Sequence, residues 1–125
     1  MRHEFVEYAP DVLEEGVLYV SITLRNALHR CACGCGAEIA TPLSPVGWEV
    51  RFDGETVSLY PSIGNWALPC QSHYWIRRDT VRWARRWSPA EVTRHRAREQ
   101  ALREDFAAGR LSADQLKRVG WDEDE

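Results

Sequence analysis

Four cysteines constrain this chain more than any other feature. Three of them are crowded into the run Cys31-Ala-Cys33-Gly-Cys35, and the fourth, Cys70, lies well downstream. The glycines in and after this run let the backbone turn tightly, so that neighbouring sulfurs can converge on one centre. Thiolates bind soft divalent cations, and a closed set of four thiolates is typical of structural zinc. The sequence therefore predicts a four-cysteine zinc site that stabilises the fold.

Other interpretations of the cysteines stay open at this stage. Disulfide bonds would need an oxidising compartment, and cysteines as close as Cys31 and Cys33 rarely form one without strain. Four buried unpaired thiols would have no reason to follow this spacing. The exact ligand set is also open, because His29 and His73 flank the cysteines and either could replace one of them.

Length and charge limit the class of protein. A chain of 125 residues suits one domain with a modest core. The charged N-terminal residues are not followed by an apolar segment, so they do not resemble a secretion signal. No run approaches the roughly 20 apolar residues of a membrane helix. These features favour a cytoplasmic protein with no membrane partner, and the net charge of −3 gives no overall attraction to nucleic acid.

Positive charge is nevertheless concentrated in one segment, which we call the arginine belt. It comprises eight arginines: Arg77, Arg78, Arg82, Arg85, Arg86, Arg94, Arg96 and Arg98. Such a belt could bind phosphate or an acidic protein surface. A solvated helix face whose arginine stems cover aromatic rings is the simpler interpretation.

Alternation of apolar and polar residues predicts an antiparallel β domain. Residues 17–28 are expected to form one strand that leads into the cysteines, and residues 38–43 a second strand at a sheet edge, since Pro42 cannot donate to a ladder. Asp53-Gly54 between two alternating runs predicts a hairpin. Residues 61–65 interrupt the pattern and are expected to form a loop.

A further strand pair is expected over residues 72–77 and 80–83, and helix signals follow it. Ser88 and Glu91 form a capping box with Pro89 at the first helical position, which predicts a helix to about Ala108.

A second capping box starts at Ser112 and predicts a short helix that ends near Gly120. The predicted fold class is therefore α+β. A zinc-stapled antiparallel β domain is expected over residues 1–87, and a helical extension with an acidic tail over residues 88–125.

Three serines and one histidine are candidates for catalysis. Ser58, Ser62 and Ser72 lie within fifteen residues of one another, and His73 follows Cys70 by three positions. A metal that holds Cys70 would also fix the backbone that carries His73, as a rigid catalytic base requires. Because serine becomes a good nucleophile when a histidine accepts its proton, a Ser–His pair is the minimum for this chemistry.

Ser62 lies in the loop that the sequence predicts for residues 61–65. A turn at Pro61 and Gly64 could expose its hydroxyl and direct backbone N–H groups toward one spot, as an oxyanion hole requires. On spacing alone, a turn-forming Ser62 and a zinc-binding His73 are the simpler explanation. Three carboxylates could orient the histidine, and the sequence does not choose among them: Asp53, Glu55 and Glu38.

Four motifs in order resemble a known bacterial family. They are Cys31-x-Cys33-Gly34-Cys35-Gly36, Val57-Ser58-Leu59-x-Pro61-Ser62-Ile63-Gly64, Cys70-x-Ser72-His73-Tyr74-Trp75-Ile76 and Val81-x-Trp83. They cover about residues 28–84. The family is encoded in bacterial ubiquitination-like (Bub) operons, beside ubiquitin-like proteins and the enzymes that activate and conjugate them.

The resemblance implies a serine peptidase that acts on the ubiquitin-like protein. It also implies a bound zinc, carried here by Cys31, Cys33, Cys35 and Cys70. The nucleophile and the base map best onto Ser62 and His73, with Ser58 and Ser72 as further candidates for the nucleophile. Cleavage at the C-terminus would mature the ubiquitin-like protein or release it from conjugated target proteins.

In this hypothesis the substrate tail would lie extended along a sheet edge, with Trp66, Tyr74 and Trp75 lining its groove or simply building the core. Two other functions fit the same residues. A non-catalytic zinc-knuckle module could bind protein or nucleic acid through the arginine belt, with His73 as a ligand. A catalytic zinc hydrolase would need one cysteine to be free, and nothing in the spacing recommends it.

Overall fold

The computed structural model describes residues 1–116 as two four-stranded sheets followed by a long helix. The first sheet has the order β1-β2-β3-β4, with these strands: β1 (Arg2–Phe5), β2 (Val17–Ser21), β3 (Asn26–Arg30) and β4 (Glu38–Pro42). The second sheet has the order β5-β6-β7-β8, with these strands: β5 (Glu49–Phe52), β6 (Val57–Gly64), β7 (His73–Arg77) and β8 (Thr80–Trp83). All neighbouring strands are antiparallel except β1 and β2.

These sheets and the C-terminal helix confirm the predicted α+β class. The edge position of the strand with Pro42 is also confirmed, because β4 ends its sheet. The hairpin at Asp53-Gly54 joins β5 to β6. The turn at Arg78 and Asp79 joins β7 to β8, and both residues have positive φ, as a tight hairpin turn requires.

The prediction of one strand over residues 17–28 is wrong. The segment folds back on itself as the hairpin of β2 and β3. The turn contains no glycine or proline. Instead, the Ser21 hydroxyl accepts the N–H of Leu24 at 3.1 Å, and Arg25 takes a φ of 53°. A side chain thus closes the turn, so the sequence carries none of the usual turn residues to reveal it.

Strand β1 was not predicted, because its four residues are mostly exposed and show no clear alternation. It pairs in parallel with β2, and its His3 also reaches the second sheet. His3 Nδ1 lies 2.8 Å from Asp79 Oδ2, while Asp79 Oδ1 accepts the N–H of Val57 at 2.8 Å. Asp79 therefore joins the N-terminal strand to the hairpins of the second sheet.

The loop predicted for residues 61–65 is also wrong up to Gly64, because β6 continues through this segment. The register between β6 and β7 shifts between Leu59 and Ile63, and the Tyr60–Pro61 peptide is cis. A bulge of this kind admits proline, which has no N–H to give to the ladder. As a result, Ser62 lies on a sheet beside β7 and not in a free loop.

One apolar core is shared by the two sheets. It buries alternating residues from the first sheet, among them Leu18, Val20 and Ile39, together with Leu59 and Tyr74 of the second sheet. The alternate residues of β4 and β6 are exposed or half-buried, whereas Val17 and Tyr19 of β2 are buried in a second, smaller cluster. This arrangement fixes β6 and β7 from one side and leaves their other side available for a site.

Helix α1 (Pro89–Ala107) begins and ends as predicted. The Ser88 hydroxyl accepts the N–H of Glu91 at 3.2 Å, and the Glu91 carboxylate accepts the N–H of Ser88 at 3.1 Å. Gly109 follows with a φ of 77°. The second capping box is present at Ser112, but the predicted helix end near Gly120 and the acidic tail lie outside the described residues. Within residues 1–116, no helix is long and apolar enough to cross a membrane.

Replacing Ser88 with alanine should destabilise the first turn of α1 by about 1 kcal/mol, because one N–H loses its acceptor. Amide hydrogen exchange should therefore become about fivefold faster at residues 91–93. Thr93→Ala, a change within the helix that leaves the cap intact, serves as the control. Equal exchange rates in the Ser88→Ala variant and the wild type would contradict the capping assignment.

Candidate active site and metal centre

The four cysteine sulfurs converge on one point. All four Sγ atoms lie within 4.8 Å of one another, and all four cysteines are free thiols. Cys31 Sγ is 3.4 Å from Cys33 Sγ and 3.9 Å from Cys70 Sγ, and Cys35 Sγ is 4.0 Å from Cys70 Sγ. Four sulfurs about 2.3 Å from a tetrahedral ion would be about 3.8 Å apart, so the thiols fit such an ion. This cluster could hold a metal ion.

Local backbone geometry builds the cluster. Where β3 ends, Gly34 and Gly36 adopt φ values of 87° and 84°, which a side chain would disfavour. The N–H of Cys31 donates to the carbonyl of Ala37 at 2.8 Å and closes the knuckle. Cys70 arrives from the loop between β6 and β7, so the centre joins the two sheets.

The cysteine thiols differ in acidity. The hydrogen bond between the Cys70 thiol and the Ser72 hydroxyl lowers the pKa of Cys70 to about 7. A hydrogen bond with the Cys31 thiol raises the pKa of Cys33 to about 12. Because a metal binds thiolates, the Cys70 thiol is better prepared than the Cys33 thiol to be a ligand before any ion arrives.

Neither histidine that was considered as an alternative ligand joins the cluster. His29 is fully buried, and its Nε2 lies 2.6 Å from the Tyr74 hydroxyl. Burial lowers the pKa of His29 to about 4, so this imidazole is neutral near pH 7. The Tyr74 hydroxyl also accepts the N–H of Ala32 at 3.4 Å, which connects the buried pair to the cysteine knuckle. His29 thus contacts the cysteine knuckle through the Tyr74 hydroxyl and does not act as a ligand.

His73 instead meets a serine. Its Nε2 lies 2.9 Å from the Ser62 hydroxyl. Gly64 of β6 is directly opposite His73 of β7, and Ser62 lies two residues from Gly64, on the same face of the strand. The strand pairing alone therefore brings the two side chains together.

The other two serines are occupied elsewhere. The Ser58 hydroxyl accepts the N–H of Arg78 at 2.9 Å. The Ser72 hydroxyl accepts a hydrogen bond from Asn65 Nδ2 at 2.9 Å and lies 3.1 Å from Cys31 Sγ. Ser72 therefore faces the cysteine cluster, and of the three candidates Ser62 is the one beside His73.

The surroundings of His73 keep it neutral. Burial lowers the pKa of His73 most, and electrostatic interactions with His95 and Arg85 act in the same direction. The nearby backbone of Arg85 has the opposite effect and raises the pKa of His73. Among residues 1–116, no atom forms a hydrogen bond of good geometry with His73 Nδ1. A neutral imidazole is the form that can accept a proton from a serine.

None of the three carboxylates considered in the sequence analysis orients His73. Asp53 accepts hydrogen bonds from the backbone of Glu55 and from Thr56, and these bonds to Thr56 lower its pKa to about 2. Glu38 and Glu55 are exposed. The described residues thus form a Ser–His pair without a carboxylate as third member.

The comparison with known families agrees with this geometry. The family described as bacterial ubiquitination-like system serine protease (BubE) matches residues 5–84, which is most of the chain. The chain belongs to this family. No curated protein and no solved structure matches it.

The BubE match includes the cysteine cluster, Ser62 and His73, but it ends before helix α1. Aromatic stacking joins the helix segment to the BubE region. Trp87 stacks on Trp66 at a ring distance of 4.7 Å, and the His73 ring packs against Trp87 at 4.8 Å. Trp66 in turn occupies the space that a side chain at Gly64 would need, since a Cβ there would lie 2.3 Å from the indole.

Sequence reasoning missed His95 and Glu99 at this site. His95 of α1 packs against Trp87 at 4.9 Å and against Trp66 at 5.3 Å. Its Nε2 lies 3.1 Å from Glu99 Oε1, one helical turn further on. The spacing of four residues could have suggested this contact, but no local signal indicates that this helix face lies beside Ser62 and His73.

The arginine belt divides among several environments. Arg77 is buried, donates to the carbonyl of Leu59 and lies over the Tyr60 ring at 3.7 Å. Arg85 pairs with Glu91 of the capping box. The arginines at residues 94, 96 and 98 belong to α1 and are exposed. Arg77 does not fit the simpler interpretation, because it is a buried strand residue whose guanidinium lies over the Tyr60 ring, whereas the exposed arginines of α1 agree with a solvated helix face.

Proposed function

We propose that this protein is a serine peptidase in which Ser62 is the nucleophile and His73 the general base. The contact of 2.9 Å between Ser62 Oγ and His73 Nε2 carries the proposal. Family membership supports the class of enzyme, because the family is described as a serine protease of a bacterial ubiquitination-like system.

The proposed reaction is an acyl transfer in two steps. Ser62 Oγ attacks the scissile carbonyl while His73 Nε2 takes the proton of the Ser62 hydroxyl. The His73 ring then gives that proton to the leaving amine as the peptide bond breaks. A water molecule next attacks the ester on Ser62, with His73 again as base. The lowered pKa of His73 keeps its ring ready to accept the first proton near neutral pH. The expected backbone donors for the oxyanion stay a prediction.

Zinc is the metal that we propose for the four cysteines. Thiolate ligands and near-tetrahedral sulfur spacing suit this ion. With four protein ligands the ion would have no open position, so its contribution is to hold the knuckle of β3 and the loop before β7 together. Since Cys70 lies only three residues before His73, a metal bound to Cys70 would fix the backbone that carries His73.

A ubiquitin-like protein is the substrate that we propose, cleaved at its C-terminus for maturation or for release from a conjugated target. The family's place in a ubiquitination-like system supports this choice. A flexible C-terminal tail is also the part of such a substrate that can extend into a narrow site. The residues after position 87 would then form an extension of the peptidase domain.

A fluorophosphonate probe tests the proposed nucleophile without knowledge of the substrate. This reagent phosphonylates activated serine hydroxyls, so we expect one label, found on Ser62 by peptide mass spectrometry. Ser58→Ala and Ser72→Ala should still be labelled, whereas Ser62→Ala should not. Labelling at Ser58 or Ser72, or equal labelling of Ser62 in a His73→Ala variant, would overturn the assignment.

A further inference from the structure

A large cavity opens beside Ser62, between the β domain and the C-terminal helix. Its volume is about 600 Å³, within the range of sites that bind small molecules and side chains. The β domain contributes Leu43, Trp48 and Val50 to its wall, and the opposite wall contains Leu102 and Leu116. Ser62 itself lies in the wall. The cavity is therefore apolar and continuous with the proposed nucleophile.

The opposite wall is formed by helix α1 and by the segment that follows it. No residue of α1 is buried and Leu102 is partly covered, whereas Leu116, which follows α1, is buried. The stacking of Trp87 on Trp66 holds the helix at its N-terminal end. Apolar side chains thus face one another across a space that they do not fill. Such a space gains free energy when an apolar group enters it.

The mouth of the cavity is positively charged. Three exposed arginines line it, namely Arg25, Arg98 and Arg103. Two carboxylates lie in the same wall, Glu49 and Glu99. Three arginines against two carboxylates give the wall a positive net charge, which favours an occupant that carries a carboxylate.

We propose that this cavity is a substrate subsite that binds a bulky apolar side chain of an extended peptide, with an acidic residue next to it at the mouth. The proposal rests on the peptidase function, because it places the subsite beside the scissile bond at Ser62. Helix α1, which lies outside the family match, would then set the sequence preference of this peptidase.

Protection of Ser62 from the fluorophosphonate probe measures occupancy of the subsite directly. Acetylated pentapeptides that differ at one position compete with the probe. A peptide with an adjacent aspartate and leucine should slow labelling at least tenfold more than matched peptides with alanine for leucine or lysine for aspartate. Discrimination of about this size is typical of an apolar pocket that loses several methyl groups.

A variant that fills the cavity makes the test specific. Ala113 lines the cavity, so Ala113→Trp should abolish protection by the leucine peptide while the probe still labels Ser62. Ala101→Trp, an equal enlargement at an exposed position outside the cavity wall, should leave protection unchanged. Arg103→Glu should reverse the preference of aspartate over lysine.

Failure of the two proposals is distinguishable. If Ser62 is not labelled at all, the peptidase function fails. If Ser62 is labelled but leucine and alanine peptides protect equally, or Ala113→Trp has no effect, the subsite is wrong. If removal of residues 117–125 is required before any peptide protects, the chain's own C-terminal segment is the occupant, and the substrate subsite is overturned.

Discussion

Alanine at Ser62 is expected to abolish cleavage of a fusion between a ubiquitin-like protein and a C-terminal reporter, by about 10³-fold or more. The reason is that, among the serine candidates within residues 1–116, Ser62 has its hydroxyl beside His73, whereas Ser58 and Ser72 bond elsewhere. His73→Ala should cause a loss of similar size, since the serine is a poor nucleophile without a base. Gel-based cleavage assays at fixed enzyme concentration measure both.

The double variant distinguishes a working pair from two independent residues. Because nucleophile and base act as one unit, the Ser62→Ala and His73→Ala double variant should be no slower than either single variant. Ser58→Ala is the matched control, since Ser58 lies on the same strand as Ser62 but accepts the N–H of Arg78, and this variant should keep the activity. Additive losses in the double variant would contradict the proposed pair.

The pH profile of the wild type provides a further check on His73. Its lowered pKa means that the imidazole loses its proton at a lower pH than an ordinary histidine of pKa about 6.5. The value of kcat/KM should therefore rise with pH, with a midpoint below that value, and should then stay level through neutral pH. A midpoint above it would show that another group is the base.

Loss of one metal ligand is expected to unfold the β domain. Cys33→Ser and Cys70→Ser should each remove zinc, which should otherwise copurify at about one equivalent per chain through the four thiols. Structural zinc contributes about 10–16 kcal/mol in small zinc-finger peptides, whereas a typical domain is stable by only about 5–15 kcal/mol. A metal contribution of this size would equal the whole stability of such a domain.

Circular dichroism and metal analysis measure this result, and a strong chelator should produce the same unfolding in the wild type. Ser72→Ala is the matched control, because it removes a hydrogen-bond partner of the cysteine cluster but no ligand. Cysteine variants that stay folded without metal, at the stability of the wild type, would refute a structural metal centre.

Much of this protein could be predicted because its signals are local. The three clustered cysteines predicted a metal site, and the four sulfurs do converge. Asp53-Gly54 and the capping box at Ser88 and Glu91 each specify their own backbone conformation within four residues. Such features depend on neighbours in sequence, so the tertiary structure does not alter them.

The course of the strands was less accessible to sequence. The turn between β2 and β3 is closed by the side chain of Ser21. Strand β6 accommodates Pro61 because its register with β7 shifts between Leu59 and Ile63. Both features depend on which strand lies alongside, and neither leaves a pattern in the residues themselves. The short strand β1 is likewise specified by pairing with β2 and by His3 contacting Asp79.

The sequence by itself determined the residue types of the site: four thiols, three serines and one histidine at fixed spacings. It left Ser58, Ser62 and Ser72 as alternatives, and only the tertiary structure placed Ser62 beside His73. The register of β6 against β7 decides this, because it sets which side chains share a face of the sheet. A strand register is fixed by the pairing energy between segments that are distant in sequence, so the spacing of residues along the chain does not reveal the register.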